Sequence, residues 1–158
     1  MIDFLIMTPP CNPFSVASIG HHWTGGKKAY LPKTAEAKTA INLVMNLLDL
    51  DSYFGPKYTV LENPRGVLRK LFPGWLQGTV WLCQYGDPRA KPTDFFGRIP
   101  PAFEFKTCHN GAKDHESAPR GAKTGTQGID GADMRAKMPF ALSKALLDSF
   151  LESQGEVA

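Results

Sequence analysis

Ile2-Asp3-Phe4-Leu5-Ile6-Met7-Thr8-Pro9-Pro10-Cys11 decides how the rest of the chain is read. The apolar run is strand-length, and it stops where prolines withdraw backbone donors. A buried strand is therefore expected over Ile2 to Met7, with Cys11 just past its end. Asn12 to Lys33, rich in Gly and Pro, reads as a long loop. Thr34 is suited to cap a helix, and Glu36 falls in the first turn, where an acid complements the helix dipole. Ala37, Ala40, Ile41, Val44, Leu47 and Leu48 then recur at helical spacing, so this helix should bury one face. A second strand is expected from Tyr58 to Leu61, ending at Glu62-Asn63-Pro64. Val67, Leu68, Leu71 and Phe72 suggest a short helix. Thr79 to Gln84 reads as a third strand and Thr93 to Phe96 as a short fourth. From Lys106 to Lys137 Gly, Lys, Arg and small polar residues dominate, and loops of such length usually carry function. Pro139 opens a final helix, with Phe140, Leu146, Leu147, Phe150 and Leu151 on its apolar face.

Strand, helix, strand, helix implies parallel strands joined by crossover helices, with ligands bound beyond the carboxyl ends of the strands. The first two strand ends carry Pro9-Pro10-Cys11 and Glu62-Asn63-Pro64, which places a thiol and a carboxylate in one crevice. Cys11 is a candidate nucleophile if its thiolate can form; the alternative is a small buried residue that helps the strand turn. Glu62 is the partner candidate; its alternative is a surface carboxylate or a cap for the following helix.

Bulk properties narrow the classes. The 158 residues suit one domain with a real core. Apolar residues make up 42% and charged residues 21%, ordinary globular usage. No apolar run approaches the length of about 18 residues that a membrane span needs, and the start lacks signal-peptide character. The 3 cysteines point to a reducing, intracellular setting rather than a disulfide framework. A formal charge of +3 permits nucleic-acid binding without arguing for it.

Thr8-Pro9-Pro10-Cys11-Asn12-Pro13-Phe14-Ser15 resembles the Pro-Cys motif of the DNA cytosine-5 methyltransferases, with Asn12 where the family usually has Gln. Glu62-Asn63-Pro64 is similar to the family's Glu-Asn-Val motif, with Pro replacing Val. Gln84-Tyr85-Gly86-Asp87-Pro88-Arg89-Ala90-Lys91 is similar to its Tyr-Gly-x-Pro-Gln-x-Arg segment, without the Gln. The motifs occur in the family's order, and the whole chain also resembles small methylase-like proteins encoded by phages of actinobacteria.

The resemblance implies an α/β fold: a partial Rossmann-like methyltransferase fold, with a mostly parallel sheet, flanking helices and the cofactor-side strands missing. Residues 1–105 would be the catalytic half, 106–137 a reduced target-recognition-like loop segment, and 138–158 a C-terminal helix packing back on the same domain. Cys11 would attack carbon-6 of a flipped cytosine, Glu62 would contact ring nitrogen 3, and Arg89 would help hold the nucleotide or Glu62. S-adenosylmethionine would supply the methyl group, with Pro10 and Asn63 on the cofactor side. Ser15, Trp23, Lys91, Arg120 and Lys123 would contact DNA. The setting implied is the cytoplasm of a phage-infected bacterium, in restriction-modification or its evasion. The alternative is a non-catalytic remnant that binds phage DNA or a host protein, in an anti-defence or DNA-protecting role.

The chain departs from the family in having no place for the three cofactor-side strands that precede the Pro-Cys motif there, and no Gly-rich cofactor turn. A complete S-adenosylmethionine site is therefore not expected within it. The first strand would become an exposed apolar edge, which such proteins cover by pairing. The expected partners are DNA and either a homo-oligomer or a second subunit along the first strand, with no membrane. Cys108, His109 and His115, with Cys83, match no common structural zinc spacing, so no metal is expected. Trp23, in His21-His22-Trp23, could stack on a base or anchor its loop on the core.

Overall fold

The computed structural model describes residues 2–26, 29–109, 111–116 and 137–155. The chain forms two compact units, Met1–Thr79 with Thr93–Ile99, and Val80–Pro92 with Pro100–Ala158.

In the first unit, β1 (Phe4–Met7) is the strand expected from the opening run. After it come 3-10 turns at Asn12–Phe14 and Val16–Ser18, the single-turn helix α1 (Ile19–His22), and a small hairpin of β2 (Trp23–Thr24) with β3 (Leu31–Pro32). The stretch expected to be a plain loop is thus organised by local turns. α2 (Ala35–Phe54) follows; Thr34 caps it as expected, its hydroxyl accepting from the Ala37 amide at 3.2 Å. The helix stops at Gly55, whose φ of 54° is left-handed, with its amide donating to the Asp51 carbonyl at 2.9 Å. Then come β4 (Tyr58–Pro64), α3 (Leu68–Leu71), β5 (Leu76–Trp81) and β6 (Pro92–Arg98).

The sheet has 4 strands in the order β1-β4-β6-β5. β1 runs parallel to β4, from Phe4 opposite Tyr58 to Met7 opposite Leu61, as a crossover through α2 requires. β6 runs antiparallel to β4, from Thr59 opposite Arg98 to Pro64 opposite Thr93. The architecture is therefore mixed α/β, with a reversed strand inserted between β4 and β5. Strand ends differ locally from the expectation: β4 runs on through Glu62-Asn63-Pro64, and β5 starts at Leu76 and gives way to a 3-10 turn at Leu82–Tyr85. Thr79 to Gln84 looked like a strand because its apolar run does not distinguish a strand from the tight turn that buries Leu82 and Cys83.

Met7, Phe14, Trp23, Ala37, Ala40, Val44, Leu61, Val67, Leu68 and Phe96 form the core of this unit. α2 places Ala37, Ala40 and Val44 in it, while Ile41, Leu47 and Leu48 pack around it half-buried. Position 51 continues the same stripe with an acid. Buried Asp51 takes both oxygens to the Arg98 guanidinium, at 2.8 and 2.9 Å, and also accepts from the Thr59 hydroxyl. Gly97, at φ 110°, lies so close to β4 that a Cβ would fall 2.6 Å from the Thr59 carbonyl oxygen.

In the second unit, α4 (Phe140–Gln154) packs on the Leu82–Tyr85 turn. Its inward face differs from the expected one. Leu142, Leu146 and Ser149 are buried, whereas Phe140 is 82% and Leu147 52% exposed. Small Ser149 fits inward because its hydroxyl donates to the Leu146 carbonyl at 2.8 Å, leaving no orphan polar group. Among the described residues, no helix is long and apolar enough to cross a membrane.

Candidate functional site

The parallel pairing of β1 with β4 sets the site. Because Met7 stands opposite Leu61, Thr8 to Cys11 leaves the sheet beside Glu62 to Pro64, which continue β4 against β6. Asn63 ties them together: its fully buried side chain donates to the Pro9 carbonyl at 3.2 Å. The Asn63 Oδ1 is buried with no hydrogen-bond partner, an acceptor aimed into the join. Glu62 is half-buried in β4, opposite Phe95 of β6.

Cys11 is a free, exposed thiol. Its backbone is held firmly, since its carbonyl accepts from the amides of Phe14 at 3.1 Å and Ser15 at 3.0 Å. The next turn is pinned from the other side by the Val67 amide on the Phe14 carbonyl at 2.8 Å and by the bridge between Ser15 and Gly66. Gly66 is needed there, because a Cβ would lie 2.0 Å from the Phe14 carbonyl oxygen. A reactive side chain in water on an over-determined backbone is an arrangement that suits a nucleophile.

Behind Cys11 lies a polar chain that the sequence reading missed. Buried His22 has its Nδ1 2.8 Å from the Thr34 Oγ1 and its Nε2 3.4 Å from the Asn12 Nδ2. The tautomer with the proton on Nδ1 serves both contacts: it donates to Thr34 and accepts from Asn12. The residue after the thiol is thus fixed to the cap of α2. The signals were a cap-forming Thr34 and a histidine in a loop, and neither shows by spacing that they meet.

Pro10 is exposed on the same loop. The Ser15 hydroxyl accepts from the Ala17 amide at 3.3 Å, a local cap. Trp23 is 4% exposed; its indole N–H donates to the Pro13 carbonyl at 2.5 Å, and its ring packs 6.0 Å from Phe14. It therefore anchors the loop, and stacking on a base is closed to it in this arrangement. In the second unit, Arg89 is engaged by Asp87 through Nε and a terminal nitrogen, both at 2.8 Å, with its own amide on the same carboxylate. Burial alone would raise the Asp87 carboxyl, but the Arg89 hydrogen bonds and charge, with Lys91, outweigh it and hold the group below its ordinary range. Lys91 has a φ of 27°, a left-handed backbone unusual for a residue with a side chain. Arg120 and Lys123 lie outside the described residues.

Two further features were not foreseen. Asp94, across the ladder from Asn63, holds Arg69 with Nε at 2.8 Å and a terminal nitrogen at 2.5 Å, and accepts from Thr79 at 2.8 Å. The second is in the other unit, where Cys83, Cys108 and His115 converge. Burial, with the neighbouring Cys108 thiol, pushes Cys83 up to about 11.

An open groove of about 320 Å³ runs along β1 and α2, with Leu5, Ile6, Leu43, Leu47, Leu50 and Phe54 in its walls. β1 is the edge of the sheet, and its Ile6 is 49% exposed. S-adenosylmethionine carries a sulfonium, an amino-acid head and ribose hydroxyls, all of which need polar partners when buried. Among the described residues, Thr8 is the only polar side chain lining the groove, so these residues do not fit that group by themselves. No protein-family model matches this chain, and comparison with curated proteins finds no match.

Proposed function

We propose that this chain performs the base-attacking half of a DNA cytosine-5 methyltransferase-like reaction. The Cys11 thiolate adds to carbon-6 of a cytosine flipped out of the duplex. Glu62 shares a proton with ring nitrogen 3, and the displaced electron pair makes carbon-5 nucleophilic. Carbon-5 then takes an electrophile from outside, loses its original hydrogen as a proton, and the thiolate leaves. The groove residues do not fit the methyl donor of the resembled family, so this reading assigns the donor half to a second copy of the chain or a second subunit along β1. The bond-making steps rest on Cys11 and Glu62, and Arg89 is oriented by Asp87.

The observation that carries this reading is the exposed Cys11 on a pinned backbone, two residues past Pro9, whose carbonyl is held by Asn63 of Glu62-Asn63-Pro64. The alternative, a DNA- or protein-binding remnant without turnover, is favoured by the apolar groove.

Addition and reversal at carbon-6 need no methyl donor, so the attack is testable alone. The purified chain is incubated in heavy water with DNA duplexes of randomised sequence. Mass spectrometry of the recovered nucleosides should show deuterium at carbon-5 of cytosine, and Cys11→Ala should abolish it. DNA binding without any exchange would discard the enzyme in favour of the remnant.

A further inference from the structure

We propose that Cys83, Cys108 and His115 form a zinc(II) site, a thiolate–thiolate–imidazole set that clips the irregular segment around residues 104–116 onto the turn after β5. The site uses neither Cys11 nor Glu62 and is independent of the function proposed above.

The geometry is the first argument. The two sulfurs and an imidazole nitrogen all lie within 4.8 Å of one another. The Cys108 Sγ is 3.6 Å from the His115 Nδ1. With Zn–S near 2.3 Å and Zn–N near 2.05 Å, the edge between such ligands in a tetrahedron is about 3.6 Å. A carboxylate stands next to the set: the Asp114 Oδ2 is 3.9 Å from the Cys108 Sγ and is held by the Gln84 Nε2 at 2.8 Å. Asp114 lies outside the mutual 4.8 Å set, so a water or a rotated Asp114 carboxylate completes the tetrahedron.

The surroundings are the second argument. Among the described residues, none from 104 to 116 is in a helix or strand, and none is buried. Phe105, Cys108, Ala112 and His115 are the half-buried ones, so both proposed ligands of this segment turn inward where its apolar anchoring is sparse. The segment is nevertheless placed with care. The Trp81 amide donates to the Lys106 carbonyl at 3.1 Å, the Tyr85 hydroxyl to the Glu104 carbonyl at 3.0 Å, and the Glu116 amide to the Pro88 carbonyl at 2.7 Å. These bonds flank the sulfurs on both sides. Ligand side chains brought together across two clipped segments, on a stretch with no buried residue among those described, are where a structural metal contributes most. The chemistry also fits zinc over a harder ion, since two thiolates and an imidazole are soft to borderline donors. Binding converts two thiols to thiolates and releases their protons; no oxidant or reductant is involved.

The test uses the whole chain, purified under reducing conditions, stripped with a chelator, and titrated with zinc(II) and separately with cobalt(II). The expected result is one metal per chain and, for cobalt, intense near-ultraviolet sulfur-to-metal absorption with the visible bands of a tetrahedral ion. Cys108→Ser and His115→Ala should each lower zinc affinity more than about 100-fold, beyond the loss typical of outer-shell changes. Cys11→Ser should bind zinc as the parent does. Far-ultraviolet circular dichroism of the variants, matched to the metal-free parent, separates a lost ligand from a lost fold. The proposal is overturned if the reduced parent takes up no metal, if Cys108→Ser retains it at parental affinity, or if thiol counting finds Cys83 and Cys108 joined as a disulfide.

Discussion

The two cysteine regions of this protein are built on opposite principles. Cys11 is exposed and comes from one short stretch of chain, fixed through its own turn, through Asn63 on Pro9, and through Val67 on Phe14. Cys83 is buried and Cys108 half-buried, and they meet His115 only because segments far apart in sequence are clipped together. The first is an exposed thiol on a scaffold that does not need it. The second is a set of side chains on a segment that leans on them. Removing a group should therefore cost activity in the first region and structure in the second.

The largest effect expected is at Cys11. Cys11→Ala should take cytosine exchange to background, while urea unfolding shifts by no more than about 0.5 kcal/mol, as for surface substitutions generally. A large loss of stability would mean that the thiol is part of the scaffold, and the contrast would fail. Asp94→Ala tests the scaffold itself. It strands Arg69, which is 26% exposed against 1% for Asp94, and breaking such a pair costs about 3–5 kcal/mol. Urea unfolding should show that loss.

How much of this could be read in advance follows the same division. The opening run, the Thr34 cap, the crossover through α2 and the meeting of the first two strand ends are local or topological, and they were legible. So was β1 as an apolar edge. The reversed β6 was not, because the length of the connection after β5 does not say on which side of a strand the chain returns. Asp51, about four turns from Ala37 along the buried stripe of Ala37, Ala40 and Val44, was not read from the sequence; its partner Arg98 is 47 residues away. His22 meeting Asn12 and Thr34, Arg69 meeting Asp94, and the Cys83, Cys108, His115 cluster are all contacts between distant segments. Cys108 and His115 are 7 apart, a spacing that announces nothing until Cys83 is brought beside them. Resemblance pointed to Arg89 as a site cation but could not show that Asp87, two residues earlier, already holds it.

The middle-sized effects probe each side of the contrast. Zinc removal should destabilise the second unit by about 2.7 kcal/mol relative to a solution with free zinc at 100 times the dissociation constant. Thermal unfolding with and without chelator reads this, and alkylation should label Cys11 in both forms but Cys83 and Cys108 only after stripping. On the other side, Gly66→Ala forces a Cβ against the Phe14 carbonyl oxygen, an atom that cannot swing away. A strain of about 1–3 kcal/mol is expected, and exchange activity should fall although no reacting group has changed. Parental exchange in a destabilised Gly66→Ala would show that the Cys11 turn does not need its backbone tie.

The smallest effect should appear as a change of slope. Asp87 is held below the ordinary carboxylate range by Arg89 and Lys91 against its burial. A group depressed in the folded state stabilises above its unfolded value and loses that contribution as the pH falls through its folded value. The Asp87–Arg89 pair should therefore support the second unit at neutral pH and release it only in acid, below the range where free carboxylates protonate. Asp87→Asn keeps the shape and removes the charge. In a series of urea unfolding curves it should be less stable than the parent at neutral pH, and the two should converge as the acid limb is descended. If the gap stays constant down to the most acid folded sample, the pair acts through shape and hydrogen bonding alone. Arg89 would then be held in place by packing and hydrogen bonding rather than by the charge of Asp87.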